Sequence, residues 1–434
     1  MSHKLLVLSN GAGEDAIAAK VLRELPDELR SRVVCCPLVG EGKAYSDYEL
    51  CGPRVLPPSE GLFRESWMLA LKDLAQGVVA GHFRQLKFLR KVRDKVGLAL
   101  AVGDLFPVLW ATMGGASRTL FIGTAKSVYH HPYSWPERWI LSRYVQESLV
   151  RDQATAEKLS ELGLKARWLG NAMMDEVQPQ GVALPFDDER PVLTLFPGSR
   201  GQAPQTLSYQ LDVLQEINRS CPVQAGVALA PGTEREVLVR PAVQKGWHYT
   251  PEDDLLTDGT TEIHLLSGVL GDLLSVSSVA LGQAGTANEQ AAGAGVPVVA
   301  YDPRGEGGLR WYRKRQKGLL GEAVSVVRQE VPEVAREVIH LLKNDPERER
   351  RAEIGRQRMG PPGGCKRMAD AIVEAWNGGG ILSVASSPCL RWSGWPRGYR
   401  SACGQATSIS FSPRPPETPP LANSIKSSST PVCW

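Results

Sequence analysis

The 434-residue chain has no apolar run of the roughly eighteen residues that a membrane-crossing helix requires, so a spanning protein is excluded. Its formal net charge is only +3, so whole-chain electrostatics give no reason to expect a nucleic-acid partner. The eight cysteines form no Cys-x-x-Cys pair and no His-paired spacing, which removes the common zinc modules. Cys35 and Cys36 sit inside "RVVCCPLV", where cysteine acts as a small apolar residue, and a reducing cytoplasm is the simplest setting. The first residues, "MSHKLLVLSNGAGED", hold too short an apolar stretch for a secretion signal and meet acids at once. They read as a first strand.

What is present is ordinary globular composition, 42% hydrophobic and 22% charged, arranged as strand–helix alternation. Near-continuous apolar runs recur: "KLLVLS", "RVVCCPLV", "LALAVG", "TLFIGT", "ARWLG", then "PVLTLF", "AGVALA", "SVALG" and "PVVAYD". Such runs suit parallel strands buried on both faces. Helical patterns such as "EDAIAAKVLREL" and "EVAREVIHLLKN" lie between them, so the expected class is α/β with doubly wound sheets. The series occurs twice. The expected partition is a Rossmann-like domain over 1–171, a linker over 172–190 rich in Pro, Asp and Glu, and a second Rossmann-like domain over 191–377. From 378 to 434 periodicity vanishes and Ser, Pro and Gly dominate, so that tail is expected to be disordered.

Several glycine turns fall where a strand hands over to a helix. In "VLSNGAGEDAIAAKVL", Gly11, Gly13 and Ala16 spell the dinucleotide fingerprint, but Glu14 and Asp15 occupy the turn where a pyrophosphate would sit. The fingerprint also wants an acid about twenty residues on, at the end of the second strand, and the nearest candidate, Glu41, is about thirty residues past Gly11. The loop therefore reads as a cleft wall, with Asn10, Gly11 and Gly13 shaping it and the acids offered to a sugar or hydroxyl. A plain tight turn with acids capping a helix is the competing account. "FIGTAKS" imitates a phosphate loop, but Ala125 stands where glycine should precede Lys126, so only an anion contact by Lys126 is expected, or a solvated lysine.

The second half carries better phosphate signals. In "LFPGSR", Gly198 permits close backbone approach, Ser199 can donate, and Arg200 offers a bidentate fork. In "LGQAGTANEQAAGAGVPVV", Gly285 and Thr286 open a helix with free amides for a diphosphate, and Glu289 or Gln290 is placed for ribose hydroxyls. A close-packed Ala/Gly helix with no ligand would leave the same pattern.

Taken in order, "LVLSNGAGEDAIA", "AVGDLFPVLWA", "LFIGTAKSVY", "SLVRDQATAEKLSELGLKARWLGNAMMDEV", "LFPGSR", "GTANEQAAGAGVPVVAYD" and "RQKGLLG" resemble the inverting glycosyltransferases of the lipid-A-disaccharide synthase group. The similarity is greatest to the lipid-A-disaccharide synthase-related proteins, and it covers residues 4 to about 376. It implies a GT-B fold with the UDP-sugar donor in the second domain and a lipid-linked acceptor in the first. By position it implies diphosphate contacts from Gly198, Ser199 and Arg200, phosphate contacts from Gly285 and Thr286, and a ribose contact from Glu289 or Gln290. The chain departs from the pattern at its first loop, where related proteins often have histidine in place of Ala12.

Inverting transfer needs a base for the acceptor hydroxyl and charge stabilisation for departing UDP. No Asp-x-Asp triplet occurs, which argues for a metal-free mechanism with no cofactor beyond the UDP-sugar. Asp104, ending the strand "LALAVG", is the favoured base, with a helix cap as its alternative; Glu14, Asp15 and His130 stand in reserve. His130 and His131 also fit an ordinary loop. Residues 61–96 carry eight Lys/Arg against three Asp/Glu, with Trp67, Met68, Leu69, Leu71, Phe83, Phe88 and Leu89 interspersed. That mixture suits peripheral contact with the inner face of an anionic membrane, or a core-packing helix pair with solvated lysines. The basic run 310–317, "RWYRKRQK", faces either diphosphate or water. A UDP-N-acetylglucosamine 2-epimerase and a catalytically degenerate GT-B binding protein are the alternatives.

Overall fold

The computed structural model describes residues 3–55, 78–199, 201–302 and 307–378. Arg200, most of the basic segment before residue 78, and the tail from 379 onward lie outside them.

The first sheet is entirely parallel, in the order β3-β2-β1-β4-β5-β6-β7. Its strands are β1 (Lys4–Ser9), β2 (Val33–Pro37), β3 (Glu49–Leu50), β4 (Val96–Gly103), β5 (Thr119–Gly123), β6 (Glu147–Val150) and β7 (Ala166–Arg167). Around them lie α1 (Ala12–Arg23), α2 (Asp27–Arg30), α3 (Val78–Val92), α4 (Leu105–Gly114), α5 (Trp135–Tyr144) and α6 (Gln153–Glu161). The period of two along the strands assigns each face. Leu5 and Val7 with Leu98, Leu100 and Val102 pack under α1, whereas Leu6, Leu8 and Ala99 pack under Leu89 of α3 and Ala111 of α4. Both faces are covered, so uninterrupted apolar runs are the right composition; each fully buried leucine contributes roughly 1.5–3 kcal/mol.

The second sheet runs β10-β11-β12-β9-β8-β13-β14-β15. It comprises β8 (Val192–Phe196), β9 (Gln224–Leu229), β10 (His248–Thr250), β11 (Leu255–Thr257), β12 (Glu262–Ser267), β13 (Ser277–Gly282), β14 (Val298–Asp302) and β15 (Val324–Arg328). Its helices are α7 (Ala203–Asn218), α8 (Arg235–Gln244), α9 (Leu270–Val276), α10 (Gly285–Gly293), α11 (Gly307–Leu320), α12 (Val331–Lys343) and α13 (Asp345–Met359). All neighbours are parallel except β10–β11 and β11–β12, an antiparallel edge absent from the sequence reading. β15 is likewise an addition to it. Two doubly wound α/β units are what the sequence predicts, and they are found.

The partition between them differs from expectation. The last helix, α14 (Gly364–Asn377), packs on the first sheet: Cys365, Met368, Ala369 and Ile372 join the cluster of Leu5, Val7 and Ala18. Their spacing of three and four residues is one helix face, and α1 offers the complementary stripe. Asp175 fixes the start of α14 by accepting the amides of Gly364 (3.1 Å) and Cys365 (2.7 Å). The segment expected to be a linker is also fastened. Its first turn, Ala172–Val177, is a 3-10 helix whose Ala172 enters the first core and whose Met174 and Val177 enter the second. Beyond it, the Asp272 carboxylate accepts the amides of Gln180, Gly181 and Val182 at 2.7–3.0 Å.

Candidate functional site

In parallel α/β sheets, ligands bind outside the carboxyl ends of the strands, because helix N-termini converge there with unspent amides. At that end of the first sheet, β1 runs into Asn10 and α1, and β4 runs into Gly103, Asp104 and α4. Gly103 has φ 126°, and a Cβ there would sit 2.4 Å from Asn10 Oδ1 and 3.0 Å from Glu14 Cγ. A Cβ on Gly11 would meet Glu14 Oε2 at 2.6 Å. The two glycines thus make the bed on which the Glu14 side chain lies. Gly13 lies at the first turn of α1, with open space where a Cβ would be.

Asp104 is the N-cap of α4: its Oδ1 accepts the Phe106 amide at 2.8 Å and Asn10 Nδ2 at 2.9 Å. Burial lifts the Glu14 carboxyl above the ordinary range of 4.5, and the negative Asp104 adds to this; a backbone hydrogen bond and Arg315 of α11 pull it back. Glu14 thus lies beside Asp104 and binds its proton more tightly than an ordinary glutamate, with a cation from the second half within electrostatic reach.

Asp15 belongs elsewhere. Successive helix residues are about 100° apart, so Glu14 and Asp15 cannot share a surface. Asp15 is 1% exposed and accepts Ser9 Oγ at 2.6 Å, and Ser9 in turn bonds Tyr45 Oη at 2.7 Å. It is a buried structural carboxyl, not a group offered to a substrate. Burial, partly offset by the Ser9 bond, raises it from 3.8 to about 6. A carboxyl that holds its proton more tightly in the fold than in the unfolded chain costs stability as pH rises from 3.8 through 6. Asp15→Asn should therefore stabilise the protein at pH 7.5, by at most about 3 kcal/mol, and flatten its stability between pH 4 and 7. Denaturant titrations across that range read this directly; an unchanged slope would refute it.

Lys126 is also spoken for. It contacts the Glu137 carboxylate at 2.7 Å and lies 5.9 Å above the Tyr133 ring, so it secures α5 instead of presenting a cation to an anion. His130 and His131 sit in the tight Ser127–His130 turn, stacked edge to face at 4.2 Å. Burial and then the positive charges of His131, Arg315, Arg151 and Lys314 lower His130 below 6.5, favouring its neutral form. This turn touches the second half: Arg358 lies over the Tyr129 ring at 3.4 Å, and a Cβ on Gly318 of α11 would sit 2.8 Å from the Tyr129 carbonyl oxygen.

In the second half the two glycine turns are brought together. β8 and β13 are parallel neighbours with Phe196 opposite Gly282, and the Gln283 amide donates to the Phe196 carbonyl at 3.0 Å. The Gly198–Ser199 turn and the Gly285–Thr286 helix start therefore stand side by side at the strand ends. Gly198 has φ 96°, a conformation that glycine adopts without strain, and Ser199 and Thr286 are both exposed. No side chain caps α10. The turn before it is locked from beneath: Asn288 donates to the Gly282 carbonyl (3.3 Å) and Gln316 Oε1 (3.1 Å), and Gln316 donates to the Gly285 carbonyl (3.1 Å).

Both expected ribose ligands have protein partners in this structure. Glu289 is paired with Arg151 of the first half at 3.0 Å, with side chains only 11% and 9% exposed. Gln290 donates to the Met173 carbonyl and to Glu176, both at 3.2 Å. Both face the seam between the halves, because helix α10 presents that side to the Ala172–Val177 turn. Arg151, Arg315 and Gln316 are additions to the sequence reading. Only the last two had a signal, lying within the run "RWYRKRQK". Among the described residues no group of three His, Cys, Asp or Glu is placed to hold a metal ion, and no helix is long and apolar enough to cross a membrane.

No protein-family model and no curated protein matches the sequence. Solved structures do match. The calicheamicin glycosyltransferase CalG4 superimposes with a TM-score of 0.55 at 16% identity, over 89% of this chain and 100% of that one. A putative UDP-N-acetylglucosamine 2-epimerase from Listeria monocytogenes gives 0.54 at 13%, over 86% and 97%. The UDP-GlcNAc 2-epimerase from Neisseria meningitidis bound to UDP-GlcNAc gives 0.51 at 16%, over 86% and 100%. The chain has the two-domain Rossmann-like architecture of these proteins, the GT-B fold.

Proposed function

We propose that the chain is an inverting, metal-independent glycosyltransferase that moves a GlcNAc-type sugar from UDP to a lipid-linked acceptor, like the lipid-A-disaccharide synthase group. The carrying observation is the juxtaposition of two open glycine turns, Gly198–Ser199 and Gly285–Thr286, on adjacent strand ends of one half, with the Glu14–Asp104 pair at the strand ends of the other. Free amides and hydroxyls at the two turns suit a diphosphate, and Arg200 would add its guanidinium. Arg315 supplies further positive charge for the departing UDP. Glu14 takes the acceptor proton; burial, and to a lesser degree Asp104, held by Asn10 and the Phe106 amide, raise that carboxyl's affinity for a proton. A lipid-linked acceptor implies that the protein works at a membrane surface, on its cytoplasmic side.

The second reading is a 2-epimerase. The resemblance to epimerase structures favours it, and a carboxyl of raised proton affinity serves proton removal from a sugar equally well. Incubation with UDP-GlcNAc alone separates the two, since an epimerase yields a new sugar nucleotide and a transferase leaves the donor intact. A degenerate binding protein would do neither with any donor or lipid extract. The donor site is tested by calorimetry: UDP should bind, NADH and ATP should not, and Arg200→Ala should weaken UDP by roughly 10–100-fold. NADH binding without UDP binding would overturn the assignment.

A further inference from the structure

Cys36 and Cys51 stand apart from everything that the proposed chemistry uses. The β2–β3 register pairs Val34 with Glu49 and Cys35 with Leu50, so the next rung sets Cys36 beside Cys51. The Cys51 amide donates to the Cys35 carbonyl at 2.8 Å, which is the bond a parallel ladder makes at that rung. Side chains on one rung of a parallel pair point to the same face, and neighbours along a strand point to opposite faces. Cys36 accordingly packs with Leu6, Leu8 and Leu89 beneath α3, and Cys51 borders the same cluster. Cys35 goes to the other face, with Leu5 and Val7. The Cys36 and Cys51 thiols are hydrogen-bonded to each other, and this contact, together with burial, holds the Cys36 thiol well above its ordinary value.

The backbone suits a covalent bond between them. Neighbouring strands place Cα atoms about 4.8 Å apart, inside the span of roughly 4.4–6.8 Å that a disulfide bridges. The Cβ atoms must draw in to about 3.8 Å, and β3 is the element that yields, being a two-residue strand at the end of the sheet order. Gly52, with φ 76°, turns the chain directly against the sulfur: a Cβ there would lie 3.0 Å from both Cys36 Sγ and Phe88 Cδ1. Exposure separates the two roles. Cys36 is closed to solvent, whereas Cys51 is half-buried and is the sulfur that a reagent reaches first.

We propose that Cys36 and Cys51 form a dithiol that small-molecule disulfides oxidise to a reversible cross-strand bond. The Cys51 thiolate attacks one sulfur of the oxidant, a mixed disulfide forms, and one thiol leaves. Cys36 then gives its proton to water and its thiolate attacks Cys51 Sγ, releasing the second thiol. The protein sulfurs lose two electrons and two protons, and the oxidant takes up both as two thiols. Once Cys51 is in the mixed disulfide, its thiol no longer bonds to Cys36, so the first cause of that thiol's raised proton affinity is gone before the second step. The ring closed by the bond, residues 36–51, encloses Tyr45, whose hydroxyl lies 2.7 Å from Ser9 Oγ beneath α1. Oxidation thus pins the loop that supports the helix carrying Glu14 without entering the cleft, and it does so whatever the cleft binds.

The test is incubation of the full chain with glutathione disulfide near pH 8, followed by alkylation, digestion and mass spectrometry without reduction. The peptides holding Cys36 and Cys51 should appear joined, two hydrogens lighter than their sum, and should separate in dithiothreitol. Closing a ring of about fifteen residues should raise the melting temperature by about 5 °C, and dithiothreitol should reverse the rise. Cys51→Ser changes only a half-buried edge residue, and it should melt like the reduced wild type with or without oxidant. Cys36→Ala, with Cys35 intact, should stop at the glutathione adduct on Cys51; should that variant not fold, Cys51→Ser carries the comparison. An unlinked pair in a chain whose other thiols have reacted would overturn the proposal. So would a link that persists in Cys36→Ala, or a linked chain that melts no higher than the reduced one.

Discussion

On the proposed transferase reading, replacing Glu14 with glutamine is expected to lower sugar-transfer turnover by about 10²–10⁴-fold, the range of a lost general base. UDP affinity should stay within about twofold, because the substituted group lies in the half opposite the glycine turns. The substitution keeps the side chain's size, so the close packing over Gly11 and Gly103 survives. The acid limb of the pH–rate profile carries a second signature. A base must be deprotonated, and burial with Asp104 alongside holds this carboxyl above 4.5, so activity should fall on the acid side at a pH above that of an ordinary glutamate. Arg315 opposes the upward shift, so Arg315→Gln should move the limb higher still; Asp104→Asn, which removes a neighbouring negative charge, should move it lower. Asparagine caps helices about as well as aspartate, so the latter variant tests charge without dismantling α4. Wild-type turnover in Glu14→Gln would remove Glu14 from the chemistry and return the role to Asp104.

The two-sheet architecture was legible because parallel strands buried on both faces leave unmistakable runs. "KLLVLS" and "LALAVG" have every interior position buried, and alternate residues go to opposite helices. The antiparallel edge escaped because "HYT" and "LLT" are three-residue strands whose identity depends on pairing with each other and, for "LLT", with β12, not on their own composition. The glycine turns were legible for a related reason: glycine at a strand–helix junction is a local requirement. Partnerships were not local. Lys126 finds Glu137 across a turn, Gln290 finds Glu176 in a segment read as linker, and Glu289 finds Arg151 from the other half. Adjacent Glu14 and Asp15 look equivalent on paper; only the Ser9–Tyr45 pair beneath the helix shows which one turns inward. The last helix shows the same limit, since its apolar stripe announces burial without saying under which sheet.

The Arg151–Glu289 pair carries the largest expected effect on stability. Its members lie 3.0 Å apart and are nearly closed to solvent, and Arg151 also reaches the Thr124 carbonyl at 3.3 Å. Arg151→Met leaves the Glu289 carboxylate buried without its counter-charge, and losses of about 3–5 kcal/mol accompany such a step. Replacing both residues, Arg151→Met with Glu289→Leu, removes the stranded charge and supplies apolar contact in its place, so the double variant should recover most of that loss. The ordering distinguishes a buried pair from two independent contacts, for which the losses would add. Denaturant unfolding of the two single variants and the double variant measures the coupling. A double variant at least as unstable as the sum would show that the pair is not an isolated electrostatic unit. Because the pair joins strand β6's end in the first half to α10 in the second, its rupture should also separate the two glycine turns from the Glu14–Asp104 side of the cleft. Arg151→Met should then lose transfer activity even at temperatures where it remains folded, and the double variant should regain fold without regaining the full rate.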